Sequence, residues 1–414
     1  MEKGRQEIHA EVLIVGAGLM GSALAMHLGR LGVSGVHCAD FDLEGPLSSS
    51  ELNAGGVRGS FGQPVNILAS KLSIEFFATV AADVGYRPCG YLWLLAPERV
   101  AWFEAARRNQ LAAGWPSEVW DVPELRRQRP FIDKTDGIAQ AVFVPRDGLV
   151  NPNLLKNLFR ERARSTGAQF HDRLLIQTAE FGPTGVKVRA SRHAPDLALE
   201  SRAEALAEQH APRLGETVIH AKRVVNCAGP WAPAVAKALG YPCPSHPVRR
   251  QISIFDCRDV DLTPYGMIVD TSGVYFHPEA TNGLAGYADP EEKAGESFRY
   301  DGEDFFMEKI WAPLFERSTG FERLKHLTGW AGLYEISPDH SAIVGPVEQG
   351  EPKRHPGRVF EAHSFSGHGA MHSYAVGLAL AELMAEGRYS TLDLTVLAGS
   401  RFETGRPVSE GAVI

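Results

Sequence analysis

Residues 11–42, EVLIVGAGLMGSALAMHLGRLGVSGVHCADFD, confine the fold more tightly than any other stretch. Val12–Val15 reads as a buried strand, and Gly16-Ala17-Gly18-Leu19-Met20-Gly21 follows it as a glycine turn. Leu24, Leu28 and Leu31 then repeat at helical spacing up to Gly32, and Val36–Ala39 makes a second strand. In such a strand–helix–strand unit Gly16 makes the tight turn, Gly18 lets backbone approach a pyrophosphate, and Gly21 lets helix pack on strand. The helix N-terminus supplies unpaired N–H groups and the positive dipole end for phosphates. Asp40, 19 residues beyond Gly21, stands where an acid accepts hydrogen bonds from ribose hydroxyls. The unit specifies a dinucleotide but does not choose between NAD and FAD.

The length of 414 residues leaves room for two or three domains. A net charge of −8 argues against nucleic acid as a partner, because phosphate backbones select basic surfaces. No apolar run reaches the roughly 18 residues a membrane span requires, and no transmembrane segment is expected. The charged N-terminus runs straight into the first strand, so we expect no cleavable signal and a cytoplasmic location. The five cysteines (38, 89, 227, 243 and 257) are scattered without a CxxC pair and read as free thiols.

Beyond the opening unit, a second helix is expected near Pro64, with Leu68, Leu72, Phe76 and Val80 in register. Short strands at Tyr91–Leu95 and Ala141–Val144 flank a helix from about Pro97 to Ala113. Asn151–Gly167 is helical, VVNCAGPW (224–231) is a strand ending in a glycine turn, and Ala232–Leu239 is helical again. Residues 192–217, polar and alanine-rich, read as an exposed helical excursion. Strands at Gln251–Phe255 and Val274–His277 and a helix around Glu303–Phe315 follow. The chain closes with Ser341–Val344, Val359–Ala362 and a helix from about Gly369 to Glu386. Nucleotide-type units at the start, middle and end, with strand-rich segments between them, predict two interleaved domains.

Two further loops carry chemistry. SSSELNAGGVRGSFG (48–62) is rich in small residues that could lie against a flat cofactor. Its Arg58, isolated among glycines and apolar residues, suits a carboxylate through its fork of donors. SFSGHGAMHS (364–373) sets a glycine turn before an apolar helix, whose N-terminus would favour a cofactor that becomes negative on reduction. His368 and His372 are spaced i, i+4, but no third ligand is evident and no metal is expected.

GAGLMG, NAGGVR, VVNCAGPW and SFSGHGAMHS, in that order, resemble the FAD-dependent amine and amino-acid oxidoreductases, which include monomeric sarcosine oxidase, dimethylglycine dehydrogenase and D-amino-acid oxidase. The resemblance runs from Glu11 to about Phe402, and residues 304–347 look like the subgroup of FAD-dependent oxidoreductase domain-containing proteins implicated in complex I assembly. It implies FAD, and an α/β plus α+β architecture in which a discontinuous Rossmann-like FAD domain (1–85, 146–240, 326–402) interleaves with a substrate domain (86–145, 241–325) on a mainly antiparallel sheet. Residues 403–414 would be a tail. The resemblance places Gly16, Ala17, Gly18, Met20 and Gly21 at the pyrophosphate and Asp40 at the ribose, with Phe41 and Ser49 also at the cofactor. Asn53, Ala54, Gly55 and Gly56 would lie along the flavin, and Leu175 or Ile176 would meet the adenine. Ala228, Gly229 and Trp231 would line the cofactor, with Gly332 and Tyr334 beside the isoalloxazine. Gly367, His368, Gly369, Ala370 and Met371 would contact its pyrimidine end.

The departures sharpen the expectation. Gly332 and Asn53 stand where relatives carry flavin-linked cysteine and histidine, which implies non-covalent FAD. Arg58 matches the carboxylate-binding arginine of sarcosine oxidase, whereas Met371 replaces a second cationic anchor. Leu284 and Ala288 fall where an oxygen-activating lysine and an active-site histidine are expected. Stabilising superoxide is harder without that charge, so a dehydrogenase passing electrons to a quinone or carrier protein is expected over a fast oxidase. The substrate would be a small anionic amino, imino or N-methylamino acid held by Arg58 while its C–H delivers hydride to flavin N5. Tyr275, or else His277, would shape the pocket. The alternatives are a 2-hydroxy-acid dehydrogenase using a base such as His277, an NAD enzyme, and a catalytically faded FAD-containing assembly or binding protein. The oligomeric state is not legible.

Overall fold

The computed structural model describes residues 6–199, 202–203, 213–348 and 357–412. Two eight-stranded sheets organise them. In the first, Val359–His363, Arg213–Asn226, Gln6–Val15, Val36–Ala39 and Gln169–His171 lie side by side in parallel. Ile343–Pro346 closes one edge antiparallel. Leu174–Phe181 and Val186–His193 join along the first half of Arg213–Asn226. Residues 12–15 are almost wholly excluded from solvent, the mark of a parallel strand covered on both faces. The helices Leu19–Arg30, Pro64–Thr79, Pro152–Ser165 and Gly369–Glu386 pack together beside it. Pro64 and Pro152 sit in first turns, where a missing N–H matters least. Asn151 caps the second of these helices by accepting from Asn153 and Leu154 N–H.

The second sheet runs Lys325–Ile336, His246–Asp256, Asn282–Tyr287, Tyr275–Glu279, Met267–Val269, Tyr91–Leu95, Gln140–Val144, Glu118–Trp120. Every pairing is antiparallel except Met267–Val269 with Tyr91–Leu95. One face, carrying Ile252, Tyr275 and Leu284, packs into the core shared with the parallel sheet. The other, carrying Phe255, Phe276 and Ala285, is covered by Phe305, Phe306, Ile310 and Leu314. The expected mixture of a Rossmann-like sheet and a mainly antiparallel one is present.

Three expectations are corrected. The strand Lys325–Ile336 belongs to the antiparallel sheet, not to a cofactor domain starting at 326, because it pairs with His246–Asp256 along nearly its whole length. The proposed excursion at 192–217 is partly strand, with His193 facing Arg213 across an antiparallel pair; residues 200–201 and 204–212 lie outside the described residues. The segment after 402 is no free tail: Glu410 and Ala412 are buried, and Glu410 N–H donates to Asp339 O. The helix expected at 303–315 also differs in detail, carrying a π-helical turn over Phe306–Trp311 between two α-helical pieces.

Candidate active site

The turn after the first strand is built by close approach. Gly16 has φ +95°, and a Cβ there would lie 2.3 Å from the Cys227 carbonyl oxygen; a Cβ on Gly21 would lie 1.9 Å from Gly16 O. No larger residue fits either position. Asp40 is anchored by accepting from the N–H groups of Ala17 (2.6 Å) and Asp42 (2.9 Å). Burial pushes its carboxyl upward, and those two donors pull it back. Ser50 Oγ accepts from Leu19 N–H, and Ser49 Oγ donates to Leu333 O, tying the 48–56 loop to both sheets.

Above this turn opens an elongated cleft whose empty space, open mouth included, is about 1360 Å³. Gly16, Gly18, Met20, Asp40, Phe41, Ser49 and Asn53 line one part of it. Leu175, Ala228, Gly229 and Trp231 line another, and Tyr334, Gly367, Gly369 and Ala370 a third. Ile176 is on the wall too. Trp231 Nε1 is buried there without a partner in the protein, as expected of a donor reserved for a ligand.

The remaining candidates are elsewhere. Ala17 and Gly21 lie behind the wall, one fixing Asp40 and the other packing on Gly16. Ala54, Gly55 and Gly56 are not among the residues lining the cleft and are held by neighbouring strands. Ala54 O meets His277 Nε2, Gly55 O accepts from Val150 N–H, and Gly56–Val57 pairs with Gly148–Leu149. Gly332 faces Leu52, with room for no side chain (a Cβ would stand 2.9 Å from that of Leu52). His368 forms the N-cap of the helix Gly369–Glu386, and Met371 is buried in its first turn.

Arg58 does not occupy its expected setting. It is 1% exposed, its guanidinium lies 4.1 Å from the Phe61 ring centroid, and both of its terminal nitrogens are engaged by protein acceptors. Nη1 donates to Ser60 O (3.0 Å), and Nη2 to Ala412 O and to His368 Nε2. Burial, Arg58 and His372 hold His368 well below the ordinary histidine range, so it stays neutral and accepts. The role expected of Arg58, a fork open to carboxylate, does not fit this arrangement. Nor is His277 a poised base. Its nitrogens lie 2.9 Å from Pro278 O and Ala54 O, and a neutral ring can donate to only one of them. Burial lowers its basicity. Tyr275 is buried and hydrogen-bonded to Tyr334, and burial raises both phenols, which remain protonated.

Sequence reasoning missed several contributors. Glu335, on the cleft wall, accepts from Ser364 N–H (2.6 Å) and Ser364 Oγ. Buried His363, held well above its ordinary value by Glu335 and Glu361 despite burial, binds Glu361 through Nε2. Cys243, Glu335 and His363 bring potential ligand atoms within 4.8 Å of one another, but Glu335 and His363 are already satisfied by protein partners. All five cysteines are free, and Cys38 and Cys227 are buried as expected.

The sequence pattern of the FAD-dependent oxidoreductase (DAO) family matches residues 11–383. The chain belongs to the FAD-dependent oxidoreductase family. Its cofactor is FAD, and the glycine turn, Asp40 and the unpartnered Trp231 Nε1 fit that group. The FAD-dependent oxidoreductase domain-containing protein 1 of Xenopus laevis is 30% identical over 98% of this chain and 85% of its own length. Human mitochondrial dimethylglycine dehydrogenase is 24% identical over 95% of this chain and 44% of its own. Among solved structures, L-proline dehydrogenase from P. horikoshii superposes with a TM-score of 0.79 at 21% identity, covering 97% of this chain and 100% of that one. Glycine oxidase from Geobacillus kaustophilus gives 0.73 at 18%, covering 94% and 98%. Among the described residues no helix is long and apolar enough to cross a membrane.

Proposed function

We propose that this flavoenzyme oxidises the C–N bond of a small carboxylate-bearing amine, an amino, imino or N-methylamino acid, with FAD held non-covalently. The observation that carries the reading is that the residues expected to serve as base or to shape the pocket are engaged or keep their protons. His277 is closed off by two carbonyls, His368 serves Arg58, and Tyr275 and Tyr334 keep their protons. A neutral amine carries its own lone pair and needs no such base, whereas a 2-hydroxy acid must lose its hydroxyl proton. Bound flavin supplies the two-electron acceptor for the C–H bond beside nitrogen. The protein's part is to orient the substrate and exclude water. Tyr334, on the cleft wall, and Tyr275 behind it form the polar surface, while apolar Leu284 shares their face of the sheet. Relatives named dimethylglycine dehydrogenase, monomeric sarcosine oxidase and 4-methylaminobutanoate oxidase fit this substrate class.

Leu284 in place of a lysine supports a dehydrogenase that hands electrons to a quinone or carrier protein. Gly332 against Leu52, and Asn53 accepting from Gly55 N–H, support non-covalent binding, because neither position carries a cysteine or histidine to bond the flavin. The test is an anaerobic visible spectrum of the purified holoprotein, titrated with amino, N-methylamino and hydroxy acids. Bleaching by an amino or N-methylamino acid, with slow recovery in air, is expected. Bleaching by hydroxy acids alone would overturn the substrate class. Bleaching by dithionite but by no acid would favour an assembly or binding role.

A further inference from the structure

We infer that Arg250, not Arg58, is the anion anchor of the substrate site. The inference rests on the amino-acid reading above and deepens it.

Arg58 is withdrawn by a strap that lies beyond the family match, which ends at 383. Glu410, buried, accepts from the N–H groups of Gly62, Gln63, Gly411 and Ala412 and from Asn66 Nδ2. Asp339 accepts from Val408 N–H, Ser341 Oγ donates to Val408 O, and Arg99 donates to Gly411 O. So stitched, the strap delivers Ala412 O to the Arg58 fork. A substrate carboxylate at Arg58 would have to displace a carbonyl held by all of these bonds.

Arg250 is in the opposite condition. It lies on His246–Asp256, facing Gly332 in register, at a point where the neighbouring strand carries no side chain. Its neighbour Arg249 pairs with Glu292 and Asp301. Arg250 forms no ion pair among the described residues; it donates from Nη1 to Arg249 O, and its buried Nε has no partner. Its guanidinium carbon sits 5.6 Å from the ring centroid of Tyr334, which lines the cleft. Its charge is felt by both Tyr275 and Tyr334. His340 lies within reach of the same charge, and its buried Nδ1 also lacks a partner. Asp289, an acid that feels the charge of Arg250, is engaged by Lys309 at 2.9 Å. An arginine fork with free donors, two protonated phenols and a second unpartnered nitrogen form a surface for a carboxylate.

The test uses holoprotein and pyrrole-2-carboxylate, a flat non-oxidisable acid, with its uncharged amide as control. Binding is read from the flavin spectrum, and flavin content is measured alongside. Wild type should respond to the acid and not the amide. Arg250→Met should weaken acid binding roughly 10- to 100-fold, the range for a lost charge-assisted hydrogen bond, and Arg250→Lys should recover part of it. Flavin content should hold in both. Acid affinity in Arg250→Met within threefold of wild type would overturn the anchor while leaving the amino-acid reading intact. So would loss of flavin with unchanged acid affinity in the remaining holoprotein, since Arg250 would then serve the cofactor. A wild-type protein that no carboxylate perturbs or reduces would sink the amino-acid reading and the anchor together.

Discussion

Asp147 offers a perturbation whose magnitude follows from its surroundings. Its carboxyl is 0% exposed. Oδ1 accepts from Gly59 N–H (2.7 Å) and Trp115 Nε1 (2.8 Å), fixing the backbone beside Arg58, while Oδ2 has no partner. Burial outweighs those bonds and the nearby Arg58 charge, and raises the group from 3.8 to about 6. The folded protein therefore holds this proton more tightly than the unfolded chain. Its stabilising contribution is complete below pH ~4 and is lost as pH rises through about 6. A shift of about two units corresponds to ~3 kcal/mol. Asp147→Asn keeps an oxygen for Gly59 and Trp115 but has nothing to titrate. Relative to wild type, the variant should gain up to ~3 kcal/mol between pH 4 and pH 8. At ~2.1 cal/mol/K per residue, the unfolding entropy of a 414-residue chain turns that into a relative rise of roughly 3 °C in melting temperature. Scanning calorimetry of both holoproteins across that range measures the difference directly. A wild-type-minus-variant difference that stays flat with pH, or runs in the opposite direction, would refute the assignment of burial as the dominant cause.

Other consequences are as direct. Gly21→Ala places a methyl 1.9 Å from Gly16 O and should lower FAD affinity at least ~10-fold through misplacement of the turn, read from the ratio of 450 to 280 nm absorbance after gel filtration. Acid precipitation should leave all flavin in the supernatant; colour staying with the pellet would mean a covalent link. His277→Gln should keep kcat within about fivefold, because neither nitrogen is free to act as base; a loss of ~10³-fold or more would reinstate it. Glu410→Ala should release the strap and lower stability by ~2–4 kcal/mol, since several buried N–H groups lose their acceptor at once. Denaturant titration checks this, and an unchanged midpoint would contradict it.

The sequence alone marked the chain as a dinucleotide binder because the glycine turn is written locally. Gly16, Gly18, Gly21 and Asp40 act through a turn, a helix end and one following strand, all within 30 residues. Apolar periodicity likewise located most strands and helices, and interruption of nucleotide-type units by strand-rich segments led to the expectation of two interleaved domains. What only the tertiary structure decided depends on partners far apart in the chain. Arg58 meets Ala412 across 354 positions, and His277 meets Ala54 across 223. No local pattern reports that one residue's donors are filled by the carbonyl of another. The same holds for Lys325–Ile336: its apolar residues suit either sheet, and its pairing with His246–Asp256 settles the matter. Arg249 and Arg250 are adjacent and chemically identical. Strand pleating turns them to opposite faces, which leaves one in an ion-pair network and the other beside Tyr334 of the cleft wall.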